Sequence, residues 1–331
     1  MLRYIGKRLL MMIPVLLGIS LLVLILIELT PGDPARMLLG ATATEEQVMA
    51  LRDQLGLNDP FFVRYWRYLS GIIFHGDFGT SLMTGRPVME EIMMRFPYTL
   101  RLAALGVTIS VAIGMPIGIY AATHTHTWKD NTSILLSLIC VSMPNFWFAL
   151  LMIRLFGVKL RWLPISGVES WKGWILPILA SSLGLIALIA RQVRADMLEV
   201  MRQDYITTAR SKGLSERVVV FKHGLKNAAI PTIMVIGGTF GSMLGGSMII
   251  ETIFSIPGLG MYVMSGLNNR DYPVIQSGIL VIAGIFAFVI LLVDVIFALV
   301  DPRIRSQYSR RKNKNRKGNK NETSQEKVET V

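Results

Sequence analysis

Asp204-Tyr205-Ile206-Thr207-Thr208-Ala209-Arg210-Ser211-Lys212-Gly213-Leu214-Ser215, running on through Val218, His223 and Asn227 to Pro231, is a polar stretch set between two long apolar segments. Its charge is mixed but basic: Arg202, Arg210, Lys212, Arg217, Lys222 and Lys226 stand against Asp204 and Glu216. The pattern predicts two short helices. Residues 207–212 can be helical, Gly213 suits a left-handed C-terminal cap, and Ser215 can accept the first free N–H groups of the next turn. Val218, Val219, Phe221 and Leu225 give the second helix a partial apolar face. Pro231 is expected in the first turn of the membrane helix that follows. A soluble-looking helix pair held between membrane spans requires something outside the membrane to dock on.

The flanking segments belong to a wider pattern. Of the 331 residues 52% are apolar, and the mean hydropathy is +0.50. The apolar residues fall into runs of roughly 20 or more, enough to cross about 30 Å of hydrocarbon. Six spans are expected, over residues 9–29, 99–122, 132–156, 173–190, 229–254 and 274–300. The fold class is therefore an all-α polytopic membrane protein.

The net charge of +12 does not point to nucleic acid. It is concentrated in the first eight residues, the Asp204 stretch and the tail after Asp301, without a basic stripe interleaved with stacking aromatics. Basic flanks of this kind mark the cytoplasmic side, and six spans return both termini there. Cys140 is the sole cysteine, so intramolecular disulfides and cysteine-built metal or redox centres are excluded. It reads as a small apolar filler.

Arg3, Lys7 and Arg8 precede the first run, which is too long for a signal-peptide core and is read as an uncleaved span. Residues 30–97 form a polar insert. Thr44 and Gln47 have the spacing of a capping box, and Val48, Leu51 and Leu55 form an apolar stripe behind it. Asp59-Pro60 has the form of an N-cap followed by proline at the first helical position. Phe61, Phe62, Tyr65, Trp66 and Tyr68 are aromatics of the interfacial kind. A helical extracytoplasmic subdomain lying against the membrane is expected.

Gly114 and Gly118 share a face of the second span at close-packing spacing. His124 and His126 point to different sides of a helix and have no third ligand nearby, so a solvated turn is expected rather than a metal site. Gly237, Gly241 and Gly245 repeat at four-residue spacing in the fifth span. Such a stripe serves helix packing within the chain, or a pore wall or seam with another subunit, and both readings stay open here. Glu251 either guards the pore mouth or is an interface-level carboxylate. Asp294 lies toward the cytoplasmic end of the sixth span and calls for a structural partner. The tail at 306–331 is polar and expected to be disordered.

No Gly-x-x-x-x-Gly-Lys-Ser/Thr loop occurs, and no Ser/His/Asp set or metal-spaced cluster can be picked out. The chain is not read as an enzyme, and no cofactor is implied.

The Asp204 stretch resembles the cytoplasmic EAA loop of ABC-importer permeases, in the form found in the dipeptide/oligopeptide/nickel group. The matching residues are Asp204-Tyr205-Ile206, Thr208-Ala209-Arg210, Lys212-Gly213-Leu214, His223, Leu225, Asn227-Ala228 and Pro231. Thr207 and Thr208 stand where the generic loop has glutamate and its first alanine, as is usual in the peptide subgroup. Gly76-Asp77-Phe78-Gly79-Thr80-Ser81, Ser142-Met143-Pro144-Asn145-Phe146-Trp147 (an interrupted third helix), Arg161-Trp162-Leu163-Pro164-Ile165-Ser166-Gly167, Glu251 to Gly260, Asn269-Arg270-Asp271-Tyr272-Pro273 and Asp301-Pro302-Arg303-Ile304-Arg305 resemble the same family.

The resemblance covers residues 1–305 and implies a type I ABC-importer permease fold. It implies a first span at 1–29, an extracytoplasmic insert at 30–97, and a five-span core at 98–305 with a coupling loop at 191–228. The basic tail at 306–331 lies beyond it. Partners implied are a second homologous permease, two ABC ATPase subunits, an extracytoplasmic substrate-binding lipoprotein and the lipid bilayer of the cell membrane. Asp204, Tyr205, Thr208, Ala209, Arg210, Lys212, Gly213, Leu214, Ser215, His223, Asn227 and Pro231 would form the ATPase-coupling loop. Peptides are the implied cargo, with nickel or metal chelates as the alternative. A secondary transporter would place charged or unwound sites at mid-membrane, and the mid-span regions here are nearly charge-free.

Overall fold

The computed structural model describes residues 2–40, 42–125 and 127–300. His126, the run Asp301 to Arg305 and the tail at 306–331 lie outside the described residues. Among those described, the chain is a series of helices, with one isolated antiparallel bridge between Thr80 and Pro87.

The first long helix is α1 (Leu2–Leu29). The insert then supplies α2 (Pro34–Leu39), α3 (Glu45–Gln54) and α4 (Phe61–Ser70), the last prolonged by a wide i→i+5 turn over Gly71–His75. After the second long helix, α5 (Val88–Thr123), come α6 (Trp128–Ser142) and α7 (Asn145–Met152), with another wide turn over Ile153–Lys159. A 3₁₀ turn at Trp171–Trp174 leads into α8 (Ile175–Met201). The loop helices are α9 (Asp204–Ser211) and the single turn α10 (Glu216–Val218). A third wide turn, Val219–Leu225, joins α10 to α11 (Lys226–Gly246). The chain closes with α12 (Met248–Ile253), α13 (Leu259–Asn268) and α14 (Tyr272–Val300).

Five helical stretches are long and apolar enough to cross a membrane: Ile5–Leu29, Val88–Thr123, Trp171–Met201, Glu216–Gly245 and Tyr272–Phe297. A bent pair, Leu135–Ser142 and Asn145–Lys159, makes a sixth span if it is counted as one, broken by 93°. The break falls at Pro144, which has no N–H to donate and pushes the preceding Met143 out of the helical region.

Several boundaries differ from the sequence expectation. α5 starts at Val88 rather than near residue 99, because Val88, Glu91 and Ile92 are already buried. α8 continues past Ala190 to Met201, so residues 191–201 are helix rather than loop. The span expected over 229–254 is interrupted at Ser247, and α12 follows as a separate short helix.

Capping follows the sequence in part. Thr44 Oγ1 accepts from the Gln47 N–H at 3.4 Å and Gln47 Oε1 accepts from the Thr44 N–H at 3.0 Å, which closes the expected capping box. Asp59 does not cap α4; Pro60 occupies the N-cap position, and the Asp59 carboxylate pairs with Arg67 at 2.5 Å instead.

α5 and α8 approach closely where glycines of α5 face the backbone of α8. A Cβ on Gly114 would lie 2.7 Å from the Ile186 carbonyl oxygen, and one on Gly118 2.5 Å from that of Ala190. That approach lets Ser182 Oγ of α8 donate to the Gly106 carbonyl of α5 at 3.1 Å. α1 lies along α14, with Val23 and Ile27 against Ile275 at one end. At the other end Arg8 Nη1 sits 2.9 Å from Asp294 Oδ2, which gives the carboxylate of the sixth span its structural partner.

Candidate functional site

The loop between α8 and α11 is a compact unit built on a small core of its own. Ile206, Ala209 and Val219 are buried against one another and against Met201 at the end of α8. α9 ends in a Schellman cap: the Leu214 N–H reaches the Ala209 carbonyl at 3.4 Å and the Gly213 N–H the Arg210 carbonyl at 2.9 Å. Gly213 adopts φ +77°, as its sequence position predicts. A Cβ there would meet nothing within 4 Å, so the constraint on this residue is conformational and not steric.

Arg210 bridges the cap. Its Nε donates to Glu216 Oε1 at 2.7 Å, tying α9 to α10, and that hydrogen bond raises the Arg210 pKa above its ordinary value. Tyr205 reaches across to the start of α11, where its hydroxyl accepts from Asn227 Nδ2 at 3.1 Å; the same nitrogen also donates to the His223 carbonyl at 3.0 Å. His223 is half-buried, while Asp204, Thr208 and Lys212 are exposed. Thr208 Oγ1 donates back to the Asp204 carbonyl at 3.0 Å.

Two expectations need correction. Ser215 occupies the N-cap position of α10 with extended backbone, but its side chain makes no capping bond; its carbonyl accepts the Val219 N–H at 3.0 Å instead. Pro231 does not open the membrane helix. It lies inside α11, because the helical path already runs from Glu216 through the wide turn at Val219–Leu225.

What the loop leaves outside is as specific as what it buries. Tyr205, Leu214, Val218 and Phe221 are 42%, 40%, 36% and 54% exposed, and Arg210, Lys212, Arg217 and Lys222 are exposed around them. Exposed apolar side chains ringed by cations form a surface suited to a protein partner. Three residues of this face, Arg210, Arg217 and Phe221, also line a cleft of about 1220 Å³ between the loop and the end of α5, together with Met115, Ile119, Leu198 and Val220.

The glycine stripe of α11 faces α14. A Cβ on Gly237 would fall inside the Val293 side chain, one on Gly241 would lie 3.0 Å from the Phe286 ring, and one on Gly245 3.8 Å from Ile282. These three glycines thus pack within the chain.

Glu251 is fully buried, so its carboxylate does not face an open pore mouth. Its Oε1 accepts from Thr99 Oγ1 at 2.8 Å and Ser247 Oγ at 2.7 Å, and its Oε2 from the Met261 N–H at 2.9 Å. One carboxylate thus joins α5, α12 and α13. Asp271 does similar work for the insert, accepting from Ser81 Oγ at 2.6 Å and the Leu82 N–H at 3.1 Å. Asp196 of α8, missed in the sequence, accepts from Gln192 Nε2 and from Thr232 Oγ1 of α11, each at 2.8 Å. An acid four residues after Gln192 and beyond the apolar part of the span was the available signal. No group of three or more His, Cys, Asp or Glu suited to a metal ion occurs among the described residues.

A family model described as "Binding-protein-dependent transport system inner membrane component" matches residues 114–306, and its N-terminal companion model matches residues 1–103. The glutathione transport system permease protein GsiC of Salmonella paratyphi A is 43% identical over 305 residues, covering 92% of this chain and 99% of that protein. GsiC of Escherichia coli K12 is 42% identical over the same extent. Among solved structures, an inward-facing form of the MetNI methionine ABC transporter aligns with a TM-score of 0.55 at 19% identity, covering 64% of this chain and 97% of that one. That likeness concerns the fold.

Proposed function

Because the chain belongs to the family of binding-protein-dependent transport system inner membrane components, we propose that it moves small peptides inward, coupled to ATP hydrolysis through the loop at α9–α10. It is the permease subunit of an ABC importer, a multi-pass membrane protein; ATP hydrolysis belongs to separate subunits, and a second permease and a binding protein complete the system. The glutathione named in the relatives that match 92% of this chain supports a peptide cargo.

The observation that carries the coupling role is the exposed face of Tyr205, Leu214 and Phe221 among basic residues, on a unit continuous with α11. Both termini and this loop lie on the cytoplasmic side, and the insert that follows α1 faces the opposite side, in keeping with the basic first turn of α1 and the basic loop. ATP binding draws the ATPase pair together, the docked loops follow, and the spans open outward to take peptide from the binding protein. Hydrolysis returns the inward-facing form.

The test uses the complete importer in a Cys140→Ala background. A cysteine at Thr44 should react with impermeant thiol reagent from outside the cell, one at Ser215 only after permeabilisation, and one at Leu214 should cross-link to the ATPase subunit. Labelling of Thr44 and Ser215 from the same side would sink the topology; a Leu214 cysteine that never cross-links would sink the docking role. Peptide uptake that fails while binding-protein-stimulated ATPase persists would redirect the cargo to another solute.

A further inference from the structure

We propose that α4 and its wide-turn extension, Phe61–His75, form an in-plane helix set into the lipid leaflet farther from the coupling loop, with the side chains of Phe62, Trp66, Ile73 and Phe74 among the acyl chains. The depth comes from two anchors on spanning helices. Tyr65 Oη donates to the Leu17 carbonyl at 2.9 Å and lies 3.0 Å from Ser20 Oγ. Leu17 is twelve residues from the Leu29 end of α1, which at 1.5 Å per residue places that carbonyl about 18 Å below the helix end. The apolar part of α1 must match about 30 Å of hydrocarbon, so the Tyr65 hydroxyl sits near mid-membrane. A tyrosine side chain spans only a fraction of that depth. The backbone of α4 therefore lies beside the outer half of α1 and not above it.

The second anchor is on α14. Ser277 Oγ donates to the Phe78 carbonyl at 2.6 Å, and Ser277 is fully buried, five residues inside the Tyr272 start of that helix. The Tyr65 hydroxyl and the Phe78 carbonyl, at either end of the segment, are thus both held below the ends of spanning helices. Arg64 marks the shallow edge, its guanidinium 2.6 Å from Glu28 near the end of α1.

The chemistry of the outward face agrees with this depth. Phe62, Trp66, Ile73 and Phe74 are 77%, 63%, 62% and 69% exposed; the Tyr65 hydroxyl and the 3% exposed Ser20 satisfy each other, Arg67 pairs with Asp59 on another side of the helix, and the Tyr68 hydroxyl is buried in the protein. In hydrocarbon an unmatched hydroxyl is costly and a matched one is tolerated. On α1, Leu22, Ile25 and Leu26, between Leu17 and the Leu29 end, are exposed as well. An exposed apolar face that carries a tryptophan and is anchored to a spanning helix at this depth fits lipid as its partner.

The complete importer, reconstituted in nanodiscs of phosphatidylethanolamine and phosphatidylglycerol, provides the test. In the Cys140→Ala background, nitroxide labels at Phe62→Cys, Trp66→Cys and Ile73→Cys should collide with oxygen several-fold more than with a water-soluble nickel chelate, and a label at Glu46→Cys should show the reverse. Dominant collision with the nickel chelate would place the face in water and overturn the proposal. Low accessibility to both would mean that protein covers it, with the same consequence. If labelled variants do not assemble, the unlabelled protein and its Trp66→Phe variant are compared in brominated lipid. Loss of the Trp66 contribution to lipid bromine supports the embedded helix; its loss to aqueous iodide instead overturns it.

Discussion

Replacing Gly213 isolates the coupling loop from everything else the chain does. At φ +77°, with nothing within 4 Å of the place a Cβ would occupy, a new side chain meets no neighbour. The whole effect is the cost of a left-handed backbone, about 1–2 kcal/mol for an ordinary L residue and more for a β-branched one. That reduces the population of the capped conformation by roughly 5–30-fold. Losing the cap releases the Leu214 to Ala209 hydrogen bond and the aim of α10, while the six spans keep their packing. Gly213→Val should therefore insert and purify at normal yield, yet show at least several-fold weaker copurification of the ATPase or weaker stimulation by the binding protein. Gly213→Asn should fall between, since asparagine visits the left-handed region more readily. Gly85→Val, at φ +68° in equally open space in the insert, is the matched control and should leave ATPase association unchanged. Wild-type coupling in Gly213→Val, or an asparagine variant as impaired as the valine one, would refute this account.

Three further outcomes are expected. Glu251→Gln replaces an acceptor of three hydrogen bonds by a group that must donate into the same cage, so the purified complex should lose about 1–3 kcal/mol, read as a lowered Tm, while Glu251→Asp should lose less. Gly237→Leu forces a side chain into Val293 and should cost about 1–3 kcal/mol in overpacking, seen as low membrane yield that Val293→Ala partly restores. Ala209→Phe cannot fit between Ile206, Val219 and Met201, so limited proteolysis should cut the α9–α10 loop faster than in the unmodified protein, with membrane insertion intact.

The sequence carried the architecture because apolar run length is a direct physical requirement of spanning, and because the Asp204 stretch combines a left-handed cap position with a basic, half-apolar face. What escaped was mostly pairing across helices. Glu251 sits in an apolar run and reads locally as an interface residue; only the return of Thr99 and Met261 in space makes it a buried joint. Asp59 was read as a cap from Asp-Pro spacing, but Arg67 eight residues on competes for the same carboxylate. Pro231 misled for another reason: proline usually opens a helix, and here a wide turn upstream carries the helix past it. The Gly237 stripe announced close packing without naming its neighbour, which Val293 and Phe286 supply.

The tie between Asp196 and Thr232 fixes α11 to α8 near the middle of the helical path that begins in the loop. From Thr232 the helical path extends to Gly246 on one side and back through the wide turn to Glu216 on the other, an arm of roughly 20 Å in each direction. Beside this tie, Pro231 leaves the Asn227 carbonyl without its helical donor, so the tie also braces the rod at its weakest turn. With arms of similar length, a tilt of about 10° would carry the loop end and the far end some 4 Å each, in opposite senses. A rigid tilt about that tie would invert and not amplify, so that closing one end of α11 and opening the other would be one motion.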